Sequence, residues 1–248
     1  MWLADNYDGD FHSYLKKKFD IKGDVLSFDL SLYIRTTAKL AGGEQDMLLS
    51  PRLDDLASSY SSLLAFLEAK VNKHIAVFAS FDNEEVGSLT YQGANSDFLK
   101  NTLRRIGNGL GYNEEDHQIA QAESIMLSVD NAHANHPNYL DISDLTTHVK
   151  LNGGIVIKYN ASQRYTTNGK SGAYVKSLMN KLGQPIQEYT NRPDIRGGST
   201  LGNLSNAEIS LLSADIGIAQ LAMHSCVEIC GAKDIDRMVD LLALHYEN

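Results

Sequence analysis

The sequence predicts an α/β fold, a sandwich of helices around a largely parallel or mixed sheet. Two observations point there. After residue 50, short apolar runs of strand character alternate with longer runs of helical spacing. Acidic residues then gather directly behind the strand-like runs, where an open α/β sheet collects its ligand chemistry.

Taken in order, residues 11–19 read as one helix, yet the first fifty residues offer no strand–helix–strand unit. Residues 57–70 carry apolar side chains at helical spacing, with Asp54 or Asp55 placed to favour the helix start. Residues 74–81, HIAVFASF, are short, apolar and aromatic, the pattern of a buried strand. A helix follows over 96–106, opened by Ser96 or Asp97, and 125–130 (IMLSVD) is expected to be a second buried strand. IVIKY, 155–159, reads as a third strand after a Gly153–Gly154 turn. Residues 171–182 form an amphipathic helix ended by Gly183, and 232–245 form the closing helix. Cys226 and Cys230, four apart, are expected on a helix, buried and unbridged.

Composition narrows the function. With 22 Lys+Arg against 31 Asp+Glu, the net charge of −9 argues against nucleic acid as a partner, because phosphate binding needs a basic face. No apolar run exceeds five residues, so no membrane span is expected. The opening MWLADNYDGDFH has neither the basic nor the apolar region of a secretory leader, which favours a cytoplasmic protein. A hydrophobic fraction of 43% is enough for a sizeable core.

The acidic groups of interest are Asp54 and Asp55 in SPRLDDL, Glu84 and Glu85 in FDNEEVGS, and Asp130 in SVDNAHANHPNY, with His224 in AQLAMHS. Carboxylate and imidazole without cysteine suit a hydrolytic zinc, manganese or cobalt centre. Paired metals need a bridging carboxylate, terminal ligands on either side and a free carboxylate to take a proton from water; an adjacent Glu-Glu pair can divide the last two duties. Loop carboxylates are also common as solvated turn residues, and spacing alone does not separate these readings. GNGLG, 107–111, lies between two helices with no strand before it and is no dinucleotide loop.

The motifs SPRLDDL, FDNEEVGSLTYQGA, SVDNAHANHPNY, VIKYNASQRYTTN, GGSTLGN and AQLAMHS occur in this order, and together they resemble the aspartyl aminopeptidase family of dinuclear metallopeptidases. The resemblance runs from about residue 26 to the end. It implies a three-layer α/β/α sandwich of the zinc-peptidase type and a metal-dependent aminopeptidase that removes amino-terminal Asp or Glu from peptides, with two divalent ions, zinc foremost. It makes Asp54 the bridging carboxylate, Glu84 the general base, Glu85 and His224 ligands of one ion, and Asp130 a ligand of the other. His133, Lys158 and Tyr165 would line the substrate site, Lys158 facing the acidic side chain, and the Gly197–Asn203 turn would border the cleft. The family also implies a homo-oligomer.

One part of the family pattern is absent: an early His with Asp two residues later. None of the eight histidines here has Asp at that spacing. The resemblance therefore implies that residues 1–45 are the trailing end of an inserted domain and linker, and that 46–248 are a catalytic domain incomplete at its N-terminal side. On that reading the ion held by Asp54 and Asp130 is the weaker one, and a catalytically impaired fragment binding one metal, or an aminopeptidase of different specificity, are the alternatives.

Overall fold

The computed structural model describes residues 9–195 and 197–248; the first eight positions, on which much of the leader reading rests, lie outside the described residues. Contacts divide the chain into a unit ending at Arg35 and a unit from Thr36 to Asn248. The first contains helix α1, Phe11–Phe19, whose Asp10 side chain accepts from the Ser13 amide and whose last turn carries Lys16, Lys17 and Lys18.

The second unit is built on two sheets. One has four strands in the order β3 (Ile125–Val129), β7 (Leu212–Gly217), β5 (Ile155–Tyr159), β6 (Ile186–Thr190). β3 is parallel to β7 and β5 to β6, whereas β5 and β7 are antiparallel, so the sheet is mixed. Alternation along its strands sorts the two faces. Ile155, Ile157, Ala214 and Ile216 face a core shared with helices α2 (Leu53–Glu68), α5 (Gly169–Leu182) and α7 (Ala232–Glu247). On the opposite face Ser128 and Asp215 lie against Gly202 of helix α6 (Leu201–Ile209). Helices on both faces make the three layers, as the sequence predicts.

Local chemistry explains why these elements start and stop where they do. Gly154 precedes β5 at φ +104°, and a Cβ there would lie 2.1 Å from the Pro185 carbonyl oxygen. Helix α5 opens with a reciprocal Asn168–Ser171 capping box and closes on Gly183 in the left-handed region. Residues 107–109 of the Gly-rich 107–111 run close helix α3, Phe98–Gly109, and the rest leads toward helix α4, Glu114–Glu123, so the run is a helix end and connection.

The second sheet carries the loops of interest: β1 (Lys39–Ala41), β2 (Met47–Ser50), β9 (Glu228–Gly231), β8 (Ala219–Leu221) and β4 (Ala132–His133), in that order. β2 leads into the turn before Asp54, and the connection from β8 to β9 contains His224. At the end of β3 the chain passes Gly217, where a Cβ would stand 2.1 Å from the Asp130 carbonyl oxygen. This close approach lets Asp130 emerge beside β7 and into β4.

Two expectations are corrected. Residues 74–81 form no strand: the segment is non-helical and joins no ladder among the described residues. Its apolar pattern instead packs against helices, with Ala76 on the core and Phe78 6.3 Å from the Phe66 ring. Apolar alternation reports a half-buried surface, whereas a strand also needs a backbone partner. The cysteines share no helix either. Cys226 is exposed in the β8–β9 connection, and Cys230 is buried in β9, both as free thiols.

Candidate metal centre

Each acidic motif reaches the same place through a different local device. Asp54 and Asp55 open α2 with non-helical backbone angles, after Arg52 at φ 58° and across a cis peptide between the two aspartates. Glu84 and Glu85 lie on a 3-10 turn, Glu84–Val86, entered through Asn83 at φ 59°. Asp130 follows β3, and His224 sits at φ 66° after Ala222 at φ 57°. Left-handed non-glycine residues are costly and persist where the surroundings dictate them. Here they flank the ligand-bearing turns.

The side chains converge into two groups. Asp54, Glu85 and His224 offer ligand atoms that all lie within 4.8 Å of one another, and so do Asp54, Asp55 and Asp130. Asp54 belongs to both. The His224 Nε2 is 3.0 Å from an oxygen of Asp54 and 3.0 Å from an oxygen of Glu85. One ring nitrogen carries at most one proton, so it cannot donate fully to two carboxylates. Asp54 Oδ1 and Asp55 Oδ1 are buried without a hydrogen-bond partner. A divalent cation would satisfy all of these atoms, and oxygen with imidazole nitrogen is a donor set zinc accepts. The residues fit a metal.

The electrostatics agree. Burial first, then the charges of Asp130 and Glu85, lift the Asp54 pKa to about 8. Burial and Asp130 also hold Asp55 well above the usual carboxylate range. Glu84 reaches about 7, again chiefly through burial, then Asp130 and Glu85. Glu85 is raised by burial against the opposing pull of His224. Carboxylates this crowded hold protons that a cation would displace.

Lys158 is 2% exposed and points inward. Its Nζ donates to the Asp130 carbonyl oxygen at 2.9 Å, to Asp130 Oδ2 at 3.2 Å and to the Asn131 carbonyl oxygen at 3.0 Å. Burial works against its charge, but Asp130, Tyr165 and Asp215 outweigh it and its pKa is raised. An ammonium has three hydrogens, and all three are engaged. Tyr165 is buried beneath it, with Nζ 5.3 Å from the ring centre. His133, at the end of β4, keeps an exposed edge; packing around the ring, then the Lys158 charge, lowers its pKa. It stays a neutral imidazole near neutral pH.

Three supporting residues receive no role at the site from the sequence. Asp55 completes the second group, and its signal was the Asp-Asp pair itself. Asn131 is buried and donates to the Leu53 carbonyl oxygen and to Gln220 Oε1, both at 2.7 Å, while Ser58 donates to its Oδ1 at 3.1 Å. Glu228, four residues after His224, accepts backbone hydrogens from both Asp54 and His224. No spacing rule marks such residues, because their partners lie far away in sequence or, for Glu228, are backbone amides.

A three-layer α/β domain with carboxylate and imidazole donors on its strand-end loops is of the metallopeptidase class. The chain belongs to the peptidase M18 family, described as aminopeptidase I zinc metalloprotease (M18), which matches residues 4–246. It is 42% identical over 221 residues to the probable M18 family aminopeptidase 2 of Clostridium novyi, covering 89% of this chain and 51% of that protein. In structure it is similar to prApe1 (TM-score 0.86, 27% identity, 94% of this chain and 51% of that one). It is likewise similar to the Saccharomyces cerevisiae mApe1 dodecamer (TM-score 0.80, 26% identity, 94% and 53%). The chain thus spans about half the length of the relatives it matches.

Proposed function

We propose that the protein serves as a zinc-dependent aminopeptidase acting on peptides with acidic amino termini, and that the observation carrying this reading is the pair of ligand groups sharing Asp54. Asp54, Glu85 and His224 would hold one divalent ion, and Asp54 with Asp130, Asp55 alongside, a second. Bound there, divalent ions supply Lewis-acid polarisation of the scissile carbonyl and acidify water. Glu84, with a pKa of about 7, takes a proton from water and returns it to the leaving amine. Asp130 meets the free α-amino group of the substrate, which limits cleavage to the first residue. His133 donates a hydrogen bond to the developing oxyanion. Lys158 brings positive charge beside an otherwise acidic cleft, and Tyr165 packs under it. The dodecameric relative supports a homo-oligomer, and a cytoplasmic location belongs to the same proposal.

A second reading follows from the Lys158 hydrogens. Because all of them go to Asp130 and Asn131, the lysine serves to hold Asp130, and the specificity lies elsewhere. Chromogenic amides of Asp, Glu, Leu and Lys, assayed with added zinc, manganese or cobalt, separate the two. On the acidic-specificity reading, Lys158→Met raises KM for the Asp and Glu amides and spares the Leu amide. Loss shared by every amide supports the second reading. Metal content decides whether this chain is the impaired, one-metal alternative: two ions per chain support catalysis, whereas one ion and no turnover support that alternative.

A further inference from the structure

Glu228 is 2% exposed, at the first position of β9. Its register explains its reach. Ser50, the last residue of β2, pairs with Glu228, and β2 continues through the Arg52 turn to Asp54. On the other side β9 pairs with β8, whose chain continues to His224. The carboxylate therefore stands where two ligand-bearing turns leave one sheet. Its Oε2 accepts from the Asp54 amide at 2.9 Å, 174 positions away in sequence, and its Oε1 accepts from the His224 amide at 2.6 Å. Each oxygen serves one turn.

We propose that Glu228 is a positioning residue for the metal centre: one buried carboxylate clamps the backbones of Asp54 and His224 so that their side chains meet at the same ion. The inference rests on the metal reading of the site and adds to it the residue that sets its geometry. Two features require a carboxylate here. Both partners are N–H donors, so both positions must accept, and a glutamine would turn an NH2 toward one of them. His224 also sits at φ 66°, a conformation that needs external support. Groups that orient metal ligands in this way commonly change affinity 10- to 100-fold when altered. Buried as it is, Glu228 acts through the backbone of the ligands.

The test uses the full chain with zinc alone as probe, titrated against a competing chelating dye, with thermal unfolding of the metal-free chain alongside. Glu228→Gln is expected to weaken zinc binding roughly 10- to 100-fold. Met238→Ala, a change in the apolar core at a residue that offers no ligand atom, should lower the unfolding temperature and leave zinc affinity unchanged. Should Glu228→Gln not fold, Glu228→Asp serves. It keeps the charge but is one methylene shorter and reaches a single amide, so it should give an intermediate loss and a shifted visible spectrum of the cobalt-loaded chain. Parent-like affinity in Glu228→Gln, or parent-like affinity and cobalt spectrum in Glu228→Asp, overturns the role of Glu228 while leaving the metal reading intact. A parent chain that takes up no zinc overturns the metal reading and the clamp with it.

Discussion

Asp54 is surrounded by Asp130, Glu85 and Glu228, and its pKa of about 8 stands far above the ordinary 3.8. With a folded pKa above the unfolded one, the folded chain binds more protons between those values. The ion-free chain therefore loses stability as pH rises through that window. A divalent ion competes for the same site, so its uptake expels the proton. Zinc binding at pH 6.5 is expected to release protons, seen calorimetrically as heats that differ between buffers of different ionisation enthalpy. Affinity should fall about tenfold for each pH unit below 8. Identical heats in both buffers would contradict the competition. Glu84 is in neither ligand group. Glu84→Gln should leave zinc content unchanged and cut turnover by about 10²- to 10⁴-fold, measured on a chromogenic amide at saturating zinc. At this scale the motifs were informative where side chains do the work. The motifs name Asp54, Glu85, Asp130 and His224, and the fold brings atoms of all four into two groups that could hold an ion. Glu228 escapes because its partners are main-chain amides, which leave no residue-type signature, and Asn131 because its partners Leu53, Ser58 and Gln220 are 73 to 89 positions away.

Helix α7 shows how an element can carry pH dependence away from the site. His245, on its last turn, lies against Tyr174 of α5, whose hydroxyl is 2.9 Å from Nδ1. Burial first, then the nearby His74 charge, lowers the His245 pKa to about 4 from 6.5. Between those values the unfolded chain binds the extra proton, so this contribution is present above pH 6.5 and is lost as pH falls toward 4. Its ceiling is roughly 3 kcal/mol. Since the site carboxylates give a slope of opposite sign, the test is a difference: His245→Gln should lose less stability than the parent between pH 7 and 5 in urea unfolding. Equal losses would exclude the histidine as the cause. Met238, fully buried on the same helix, should cost about 2–5 kcal/mol when changed to Ala, read from the same urea midpoints. Elements like β5 and α5 are legible because local signals coincide: a glycine turn before an apolar run, amphipathic helical spacing and a closing Gly183. Residues 74–81 misled because their apolar pattern is real while their ladder is absent, and hydrogen-bond partners are not written in the segment itself. The short strands β8 and β9 were missed for the converse reason: Ala219–Leu221 and Glu228–Gly231 are held by neighbours rather than by their own composition.

Across the second unit, apolar surface is unevenly distributed. Leu56, Tyr60, Leu63 and Leu67 recur at intervals of three to four along α2 and are all exposed, Leu67 at 71%. Opposite residues of the same helix, Ala57, Ser58, Ser61 and Ala65, are buried against the core, so α2 is apolar on its outer side as well. Ile75 and Val77, in the segment without a ladder, add exposed apolar surface. Contiguous surface of this kind, beside backbone groups without ladder partners, favours association. Net charge of −9 opposes it at low ionic strength, but salt screens that repulsion over about 8–10 Å. The isolated chain is therefore expected to self-associate in a concentration-dependent manner at 0.15 M salt, and more strongly as salt rises, in light scattering coupled to size exclusion. Replacing Leu63 and Leu67 together by Lys should shift the population toward monomer while zinc binding stays as in the parent, since both side chains are exposed and neither belongs to a ligand group. A monomeric parent at high concentration and high salt would show that charge and local packing already protect this face.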